Sequence, residues 1–286
     1  SRVLPPATTA AFADMLAKQA LGADAGEAQI GEVGPTKLRE VFDSWIDKAL
    51  SNAANPSFDT LPKAIVAPHI DYPRGWMNYA AVWGRMRVVD RPERVVILGT
   101  NHFGQSTGVC GCNKGYQTPF GVCEPDEAFI DSMRDKLGDA LFANRFDHER
   151  EHSVELQIAW IQHALGADEQ GNYCKVFAAL VHDPAVNNGD SYDGKGVALQ
   201  PFVDALKETI AGSPGKTLIV SSADLSHVGP AFGDRQPLIG DTPEAAAMRE
   251  RVVTHDREML ELYRQRKPDE LVAAMAWQQN PTRWCS

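Results

Sequence analysis

Three apolar segments of the sequence each end in side chains that can bind a metal ion or transfer a proton. The segments are AIVAPHIDY (64–72), RVVILGTNHFG (94–104) and TLIVSSADLSHVG (217–229). They end in His69, in His102, and in Asp224 with His227. In an open α/β sheet, ligands bind outside the carboxyl ends of the strands. We therefore expect His69, His102 and His227 to converge on one pocket.

His69 and His102 are the first candidates for metal ligands. A predicted helix separates their two segments, which therefore form a βαβ unit with adjacent parallel strands. Neighbouring strands lie about 4.8 Å apart, so two imidazoles at their ends reach one ion at about 2.1 Å. The alternative is a pair of hydrogen-bonded pocket histidines without a metal ion.

Asp224 and His227 lie three residues apart in a predicted tight turn. This spacing allows both side chains to point into one cleft. An imidazole titrates near neutral pH, so His227 is a candidate metal ligand or general acid/base. The alternative is a capping aspartate followed by a structural histidine.

A long helix predicted over residues 147–165 carries further polar groups in its first turns. His152 is a candidate for orienting a metal ligand or the substrate. Glu151 and Glu155 lie one turn apart, a spacing found in metal sites and on solvated helix faces. For these two glutamates we favour the solvated face.

Charge and cysteine content exclude several classes of protein. The net charge of −10 disfavours nucleic-acid binding, which needs clustered Lys and Arg. We find neither an apolar run of about 20 residues for a membrane span nor an N-terminal signal pattern. The five cysteines fit no disulfide framework, and a thiol cluster of Cys110, Cys112 and Cys123 is disfavoured because C-x-x-C spacing is missing. We therefore expect reduced thiols and a cytoplasmic protein.

Strand-like and helix-like segments alternate along the chain. The alternation predicts a single α/β domain in which helices flank a mostly parallel central sheet. We interpret residues 1–35 as an N-terminal extension and residues 36–286 as the domain. Its first helix is predicted over residues 36–53, with Thr36 as the N-cap, and the helix after the first strand over residues 76–88.

Five motifs in this order resemble the Memo-like family, which in bacteria and archaea is also called AmmeMemoRadiSam system protein B. They are APHIDY, VVILGTNHFG, TPFG, EHSVELQ and VSSADLSHVG. The resemblance covers the chain from about residue 36 to its end. It implies a fold similar to the catalytic subunit of class III extradiol dioxygenases, which are non-haem Fe(II) enzymes with two histidines and a carboxylate as ligands.

The resemblance also implies a metal-ligand set of His69, His102 and a cysteine. Cys285 in TRWCS is the cysteine at the corresponding place, although Ser286 follows it where the family has glycine. Family members continue beyond this cysteine, so we expect a continuation past Ser286.

The same resemblance assigns the remaining pocket residues. Asp224 and His227 match the family's acidic residue and pocket histidine, and His227 takes the place of the acid/base histidine of the dioxygenases. His152 matches the family's EHS motif near the site.

The function favoured by this resemblance is a metal-dependent oxidoreductase of dioxygenase type that acts on a small molecule. Non-haem iron or copper is the expected metal, and a thiolate ligand also suits zinc. One alternative is a binding protein that holds a ligand or peptide in the same pocket without turnover. Another is an accessory partner of a radical-SAM protein.

Overall fold

A computed structural model describes residues 1–285, which form two sheets and a set of surrounding helices. The strands are β1 (Val3–Leu4), β2 (Ala64–Ala67), β3 (Arg94–Thr100), β4 (Cys110–Cys112), β5 (Gly115–Thr118), β6 (Gly121–Cys123), β7 (Lys175–Val181) and β8 (Thr217–Ser222). The helices are α1 (Thr8–Leu21), α2 (Glu27–Leu50), α3 (Tyr72–Trp83), α4 (Glu127–Leu137), α5 (His152–Leu165), α6 (Leu199–Gly212), α7 (Pro243–Arg264) and α8 (Pro268–Gln278). Within this part of the chain, no helix is long and apolar enough to cross a membrane.

The main sheet has the strand order β2-β8-β3-β7-β4. The first four strands are parallel and β4 is antiparallel to β7. This arrangement confirms the predicted α/β fold with a mostly parallel central sheet. The prediction that β2 and β3 are adjacent is wrong, because β8 pairs with both of them and lies between them. The two imidazoles therefore come from strands two spacings apart.

The second sheet has the order β1-β5-β6 and joins the N-terminus to the segment after β3. Strands β5 and β6 form an antiparallel hairpin, and β1 adds to β5 in parallel. The segment after β3 thus contains both this hairpin and β4, the edge strand of the main sheet. Residues 1–21 supply β1 and α1, and α1 packs against α2 and α5.

The helix predicted to start at Thr36 begins nine residues earlier, at Glu27, and contains Pro35 in its interior. The proline lacks the N–H that a helix interior normally uses. Tertiary packing overrides this cost, because a buried stripe at four-residue spacing runs from Ile30 through Gly34 to Leu50. At Gly34 an added Cβ would lie 3.3 Å from the carbonyl oxygen of Ala13, so α1 and α2 pack closely.

Two further helix starts differ from the predictions because of capping side chains. Helix α3 begins at Tyr72 rather than at residue 76, since Asp71 accepts the N–H of Arg74 and Pro73 suits a first turn. Helix α5 begins at His152 rather than at residue 147. Residues 145–149 form a separate 3₁₀ turn, and the side chain of Glu151 caps α5.

Glu155 connects α5 to the N-terminal segment. Its carboxylate accepts the backbone N–H groups of Ala7, Thr8 and Thr9 at 2.9, 3.3 and 2.9 Å, and the hydroxyl of Thr9 at 2.8 Å. The side chain is buried, so the predicted solvated position is wrong. A carboxylate at the N-terminus of α1 satisfies its free donors and favours its dipole.

Replacing Glu155 by Gln should lower the free energy of unfolding by about 2 kcal/mol, because the amide group turns a donor towards buried N–H donors. Urea unfolding followed by circular dichroism measures this change. Glu208→Gln on the exposed face of α6 is the matched control and should stay within about 0.5 kcal/mol of the unchanged protein. Equal unfolding midpoints for Glu155→Gln and the control would contradict this assignment.

Candidate metal site

His69 directly follows Pro68 at the end of β2, and its side chain is 1% exposed. Its Nδ1 lies 3.0 Å from the carbonyl oxygen of Ser222. A carbonyl can only accept, so Nδ1 carries the proton and Nε2 presents its lone pair. The backbone N–H of His69 donates to Oδ1 of Asp224 at 2.8 Å. Burial and these two contacts fix the ring.

His102 follows β3 and is held by a single carboxylate. Glu151 accepts the backbone N–H of His102 at 2.8 Å and its Nδ1–H at 2.9 Å. The same carboxylate accepts the N–H of Ser153 at 2.9 Å and so caps α5. Burial raises the pKa of Glu151, but its hydrogen bonds to His102 and Ser153 outweigh burial and lower the pKa to about 2. Glu151 is buried, so its predicted solvated position is wrong.

The thiol of Cys285 closes the set. Its Sγ lies 3.3 Å from Nε2 of His69 and 3.8 Å from Nε2 of His102. An ion about 2.1 Å from nitrogen and about 2.3 Å from sulfur in tetrahedral geometry separates N and S by about 3.6 Å. These three ligand atoms lie within 4.8 Å of one another, so the residues fit a transition-metal ion.

The first two turns of α5 tie the strand ends together. The hydroxyl of Ser153 donates to the carbonyl of Thr100 at 3.1 Å, and the hydroxyl of Ser222 donates to the carbonyl of Ser153 at 2.5 Å. The amide of Gln157 donates to the carbonyl of Pro68 at 2.7 Å and to Oγ of Ser222 at 2.9 Å. The ends of β2, β8 and β3 are thus held by one helix, although β2 and β3 are not adjacent.

The site holds a thiolate beside an imidazolium. Burial raises the pKa of the Cys285 thiol, but its hydrogen-bonding contacts with His102, His227 and His69 outweigh burial and lower it to about 4. Burial lowers the pKa of His102, but hydrogen bonds to Cys285 and Glu151 outweigh burial and raise it to about 10. A metal cation that displaces the proton on Nε2 of His102 would therefore find the sulfur of Cys285 already deprotonated.

Asp224 and His227 lie on the other side of the thiol. The Nδ1–H of His227 donates to the carbonyl of Arg283 at 2.8 Å, so Nε2 faces the site. Oδ2 of Asp224 lies 3.8 Å from this Nε2 and 3.7 Å from Nε2 of His69. The hydrogen bond to Cys285 raises the pKa of His227. Asp224, His227 and Cys285 form a second group of ligand atoms within 4.8 Å.

His152 stands at the open side of the site. Its ring centroid lies 4.9 Å from that of His102 and 5.5 Å from that of His69. Burial lowers the pKa of His152. The neighbouring Phe103 is 66% exposed and 6.3 Å away, centroid to centroid. The structure therefore brings together the six residues that were predicted for the site, of which His152 is the outermost.

The sequence patterns considered above did not point to the residues that hold the candidate ligands, chiefly Ser153, Gln157 and Ser222. A signal for two of them exists in the sequence. Ser153 and Gln157 are uncharged polar residues at i and i+4 that alternate with the apolar Val154, Leu156 and Ile158, and both are fully buried. Buried polar side chains need partners, so this pattern marks a helix face that hydrogen-bonds to its neighbours.

A cavity with a volume of about 880 Å³ lies beside the site. Asp224 and His227 form part of its wall, together with residues of α3 and α7. The three candidate ligand residues, His69, His102 and Cys285, do not line this cavity. A metal ion held by them would therefore lie outside it. Four other thiols, those of Cys110, Cys112, Cys123 and Cys174, are buried and form no ligand group within residues 1–285.

A family model described as Memo-like protein matches residues 29–286. The chain belongs to the Memo-like family. A MEMO1 family protein of Thermus thermophilus is 26% identical over 231 residues, 81% of this chain and 61% of that protein. A MEMO1 family protein of Methanopyrus kandleri is 31% identical over 206 residues, 68% of this chain and 65% of that protein. The chain thus spans about three fifths of the length of these relatives.

In the metal-free protein, iodoacetamide should alkylate Cys285 alone, and the rate should stay nearly constant from pH 8 down to about pH 5. The lowered pKa keeps this thiol ionised over that range. Burial raises the pKa of the other four, for example that of Cys110 to about 12. Peptide mass spectrometry measures the rate at each site.

Cys285→Ser is the control and should leave the folded chain unreactive. For an ordinary thiol, the alkylation rate falls tenfold per pH unit below about pH 8.5. Such a fall at Cys285 would contradict the claim that its thiol is ionised at neutral pH.

Proposed function

We propose that this chain binds one transition-metal ion through His69, His102 and Cys285 and uses it in oxidation–reduction chemistry on a small molecule. The observation that carries the proposal is the convergence of two imidazole Nε2 atoms on one thiolate, at 3.3 and 3.8 Å. Each imidazole has its proton fixed on Nδ1 by a buried acceptor, the arrangement typical of metal-ligating histidines.

The donor set supports iron or copper. Two imidazoles and a thiolate suit soft and borderline metals, whereas a carboxylate in the thiolate's place favours harder ions. Three protein ligands leave further coordination positions open. An iron or copper ion held in this way supplies a redox-active centre that small molecules can reach.

His227 and Asp224 are suited to proton handling at the site. His227 has its Nδ1–H fixed on the carbonyl of Arg283, and its hydrogen bond with Cys285 raises its pKa, which favours a second proton on Nε2. That proton points towards the sulfur of Cys285 and the carboxylate of Asp224. A substrate atom bound beside the sulfur would therefore meet a proton donor that is already oriented.

His152 and Phe103 are suited to binding the substrate. Both lie at the open side of the site, and burial lowers the pKa of His152, which favours its neutral form. A neutral imidazole and an exposed aromatic ring offer a hydrogen bond and an apolar face to an incoming molecule. We assign to them the orientation of substrate rather than the binding of metal.

A ligand-binding role without turnover is the second candidate. The observation that favours it is the cavity of about 880 Å³, which lies within the size range of small-molecule pockets but is not lined by the three ligands. Of the six residues predicted for the site, a molecule held there would contact Asp224 and His227 only. Oxygen consumption distinguishes the two candidates.

The protein reconstituted with Fe(II) or Cu(I) and then desalted should retain about one ion per chain, because three protein side chains bind it. His69→Ala and Cys285→Ala should each retain less than about a tenth of that amount. His163→Ala removes an imidazole that pairs with Asp43 instead, and should bind metal like the unchanged protein. Metal analysis by mass spectrometry measures the retained ion.

Oxygen uptake by the loaded protein is then measured with a panel of catechols and other chelating small molecules. Uptake that is lost in His69→Ala supports the enzyme. Loading of one ion without any uptake favours the binding role, and failure to load iron or copper sinks the proposal.

A further inference from the structure

Cys285 reaches the site on a segment whose backbone is unusual, residues 279–285, which we call the C-terminal strap. Gln279, Asn280 and Arg283 have φ angles of 56°, 45° and 57°. Residues other than glycine adopt this left-handed conformation at an energetic cost. The path of the strap is therefore set by its contacts and not by local preference.

One group of contacts joins the strap to the loop that carries Asp224 and His227. The N–H of Cys285 donates to the carbonyl of Asp224 at 3.1 Å, and the N–H of His227 donates to the carbonyl of Thr282 at 2.7 Å. The guanidinium of Arg283 forms an ion pair with Asp234 at 2.6 Å. These contacts fix the backbone of the strap on that loop.

A second group of contacts runs through Trp284 to helix α7. The indole Nε1–H lies 2.6 Å from Oδ1 of Asp256 and 3.2 Å from Oγ of Ser226. The hydroxyl of Ser226 donates to the same carboxylate oxygen at 2.5 Å. Asn280 holds the backbone of Trp284 from the other side, with both hydrogen bonds at 2.9 Å.

We propose that Asp256 is a positioning residue for the candidate metal ligand Cys285 and acts through Trp284. Its carboxylate accepts hydrogen bonds from the indole next to Cys285 and from Ser226 in the Asp224 loop. It thereby sets the rotation of the strap about the site and the direction in which the thiol points. The proposal rests on the proposed metal site, since it concerns the geometry of one of its ligands.

A purely structural role for Asp256 is the competing explanation. Helix α7 has 22 residues but buries only Ala245 and Met259 among them. A carboxylate that ties α7 to the body of the protein would then matter for the helix alone. The experiment must therefore show whether Asp256 acts on the thiol.

A double-mutant cycle makes this distinction. Zn²⁺ affinity is measured by chelator competition for the unchanged protein, Asp256→Ala, Cys285→Ser and the double variant. Asp256→Ala removes the hydrogen bond to the indole of Trp284 and should weaken Zn²⁺ binding about 10- to 100-fold, as for other groups that orient metal ligands. The double variant should bind no more weakly than Cys285→Ser, because Asp256 acts only through that residue.

Two variants serve as references. Glu258→Ala removes an exposed carboxylate from the same helix and should leave affinity unchanged. Asp256→Asn keeps an acceptor oxygen for the indole and should recover most of the lost affinity. It also replaces Asp256→Ala in the cycle, with a smaller expected loss, if the alanine variant does not fold.

Spectra give two further readouts. With Co²⁺ bound, the thiolate-to-cobalt absorption band should be lost in Asp256→Ala and kept in Glu258→Ala. In the metal-free protein, ¹H–¹⁵N spectra should show a shifted, fast-exchanging indole N–H of Trp284 in Asp256→Ala only, with the peak assigned by Trp284→Phe.

The outcomes separate the two proposals. Additive losses in the cycle, or a Trp284 indole peak unchanged by Asp256→Ala, would overturn the positioning role while the metal site stands. If the unchanged protein binds neither Zn²⁺ nor Co²⁺, the metal site fails, and the positioning of a metal ligand fails with it. The indole peak would then report only whether Asp256 holds the strap.

Discussion

The site depends on a small set of buried hydrogen bonds between the first two turns of α5 and the carboxyl ends of the central strands. Ser153 bonds to the end of β3 and Gln157 bonds to the ends of β2 and β8. Glu151 fixes His102 at two points. Because His69 and His102 come from strands that do not pair, these bonds set the distance between the two imidazoles.

Such a network is useful only when each of its members is satisfied. An unpaired polar group in a buried position costs about 1–3 kcal/mol. Alternative arrangements of these side chains leave such groups unpaired, so the arrangement in which every group has a partner is favoured over them. Gly99 shows how tightly the helix is set against β3, since an added Cβ would lie 2.5 Å from Oγ of Ser153. A glycine at this position lets Ser153 reach the backbone of Thr100.

The candidate ligands His69 and His102 could be picked out from the sequence itself and Cys285 only through the family resemblance, whereas the order of the strands could not be predicted. Apolar runs that end in histidine or aspartate are local signals, and parallel strands place their ends at one edge. The insertion of β8 between β2 and β3 depends on contacts between residues about 150 positions apart, for example His69 with Ser222. No local pattern reports such pairing.

The two glutamates at the start of α5 show a second limit of prediction from sequence. Glu151 and Glu155 have the spacing of a solvated helix face, and only the fold shows that one binds His102 and the other caps α1. Capping also moved the starts of α3 and α5, because one side-chain oxygen decides where a helix begins. The approach of Cys285 through three left-handed residues could likewise be found only from the structure.

X-ray absorption at the zinc edge of the Zn²⁺-loaded protein tests the convergence of His69, His102 and Cys285 most directly. We predict one sulfur neighbour at about 2.3 Å and two imidazole nitrogens at about 2.0–2.1 Å, with the sulfur lost in Cys285→Ser. A first shell of nitrogen and oxygen alone in the unchanged protein would contradict the account.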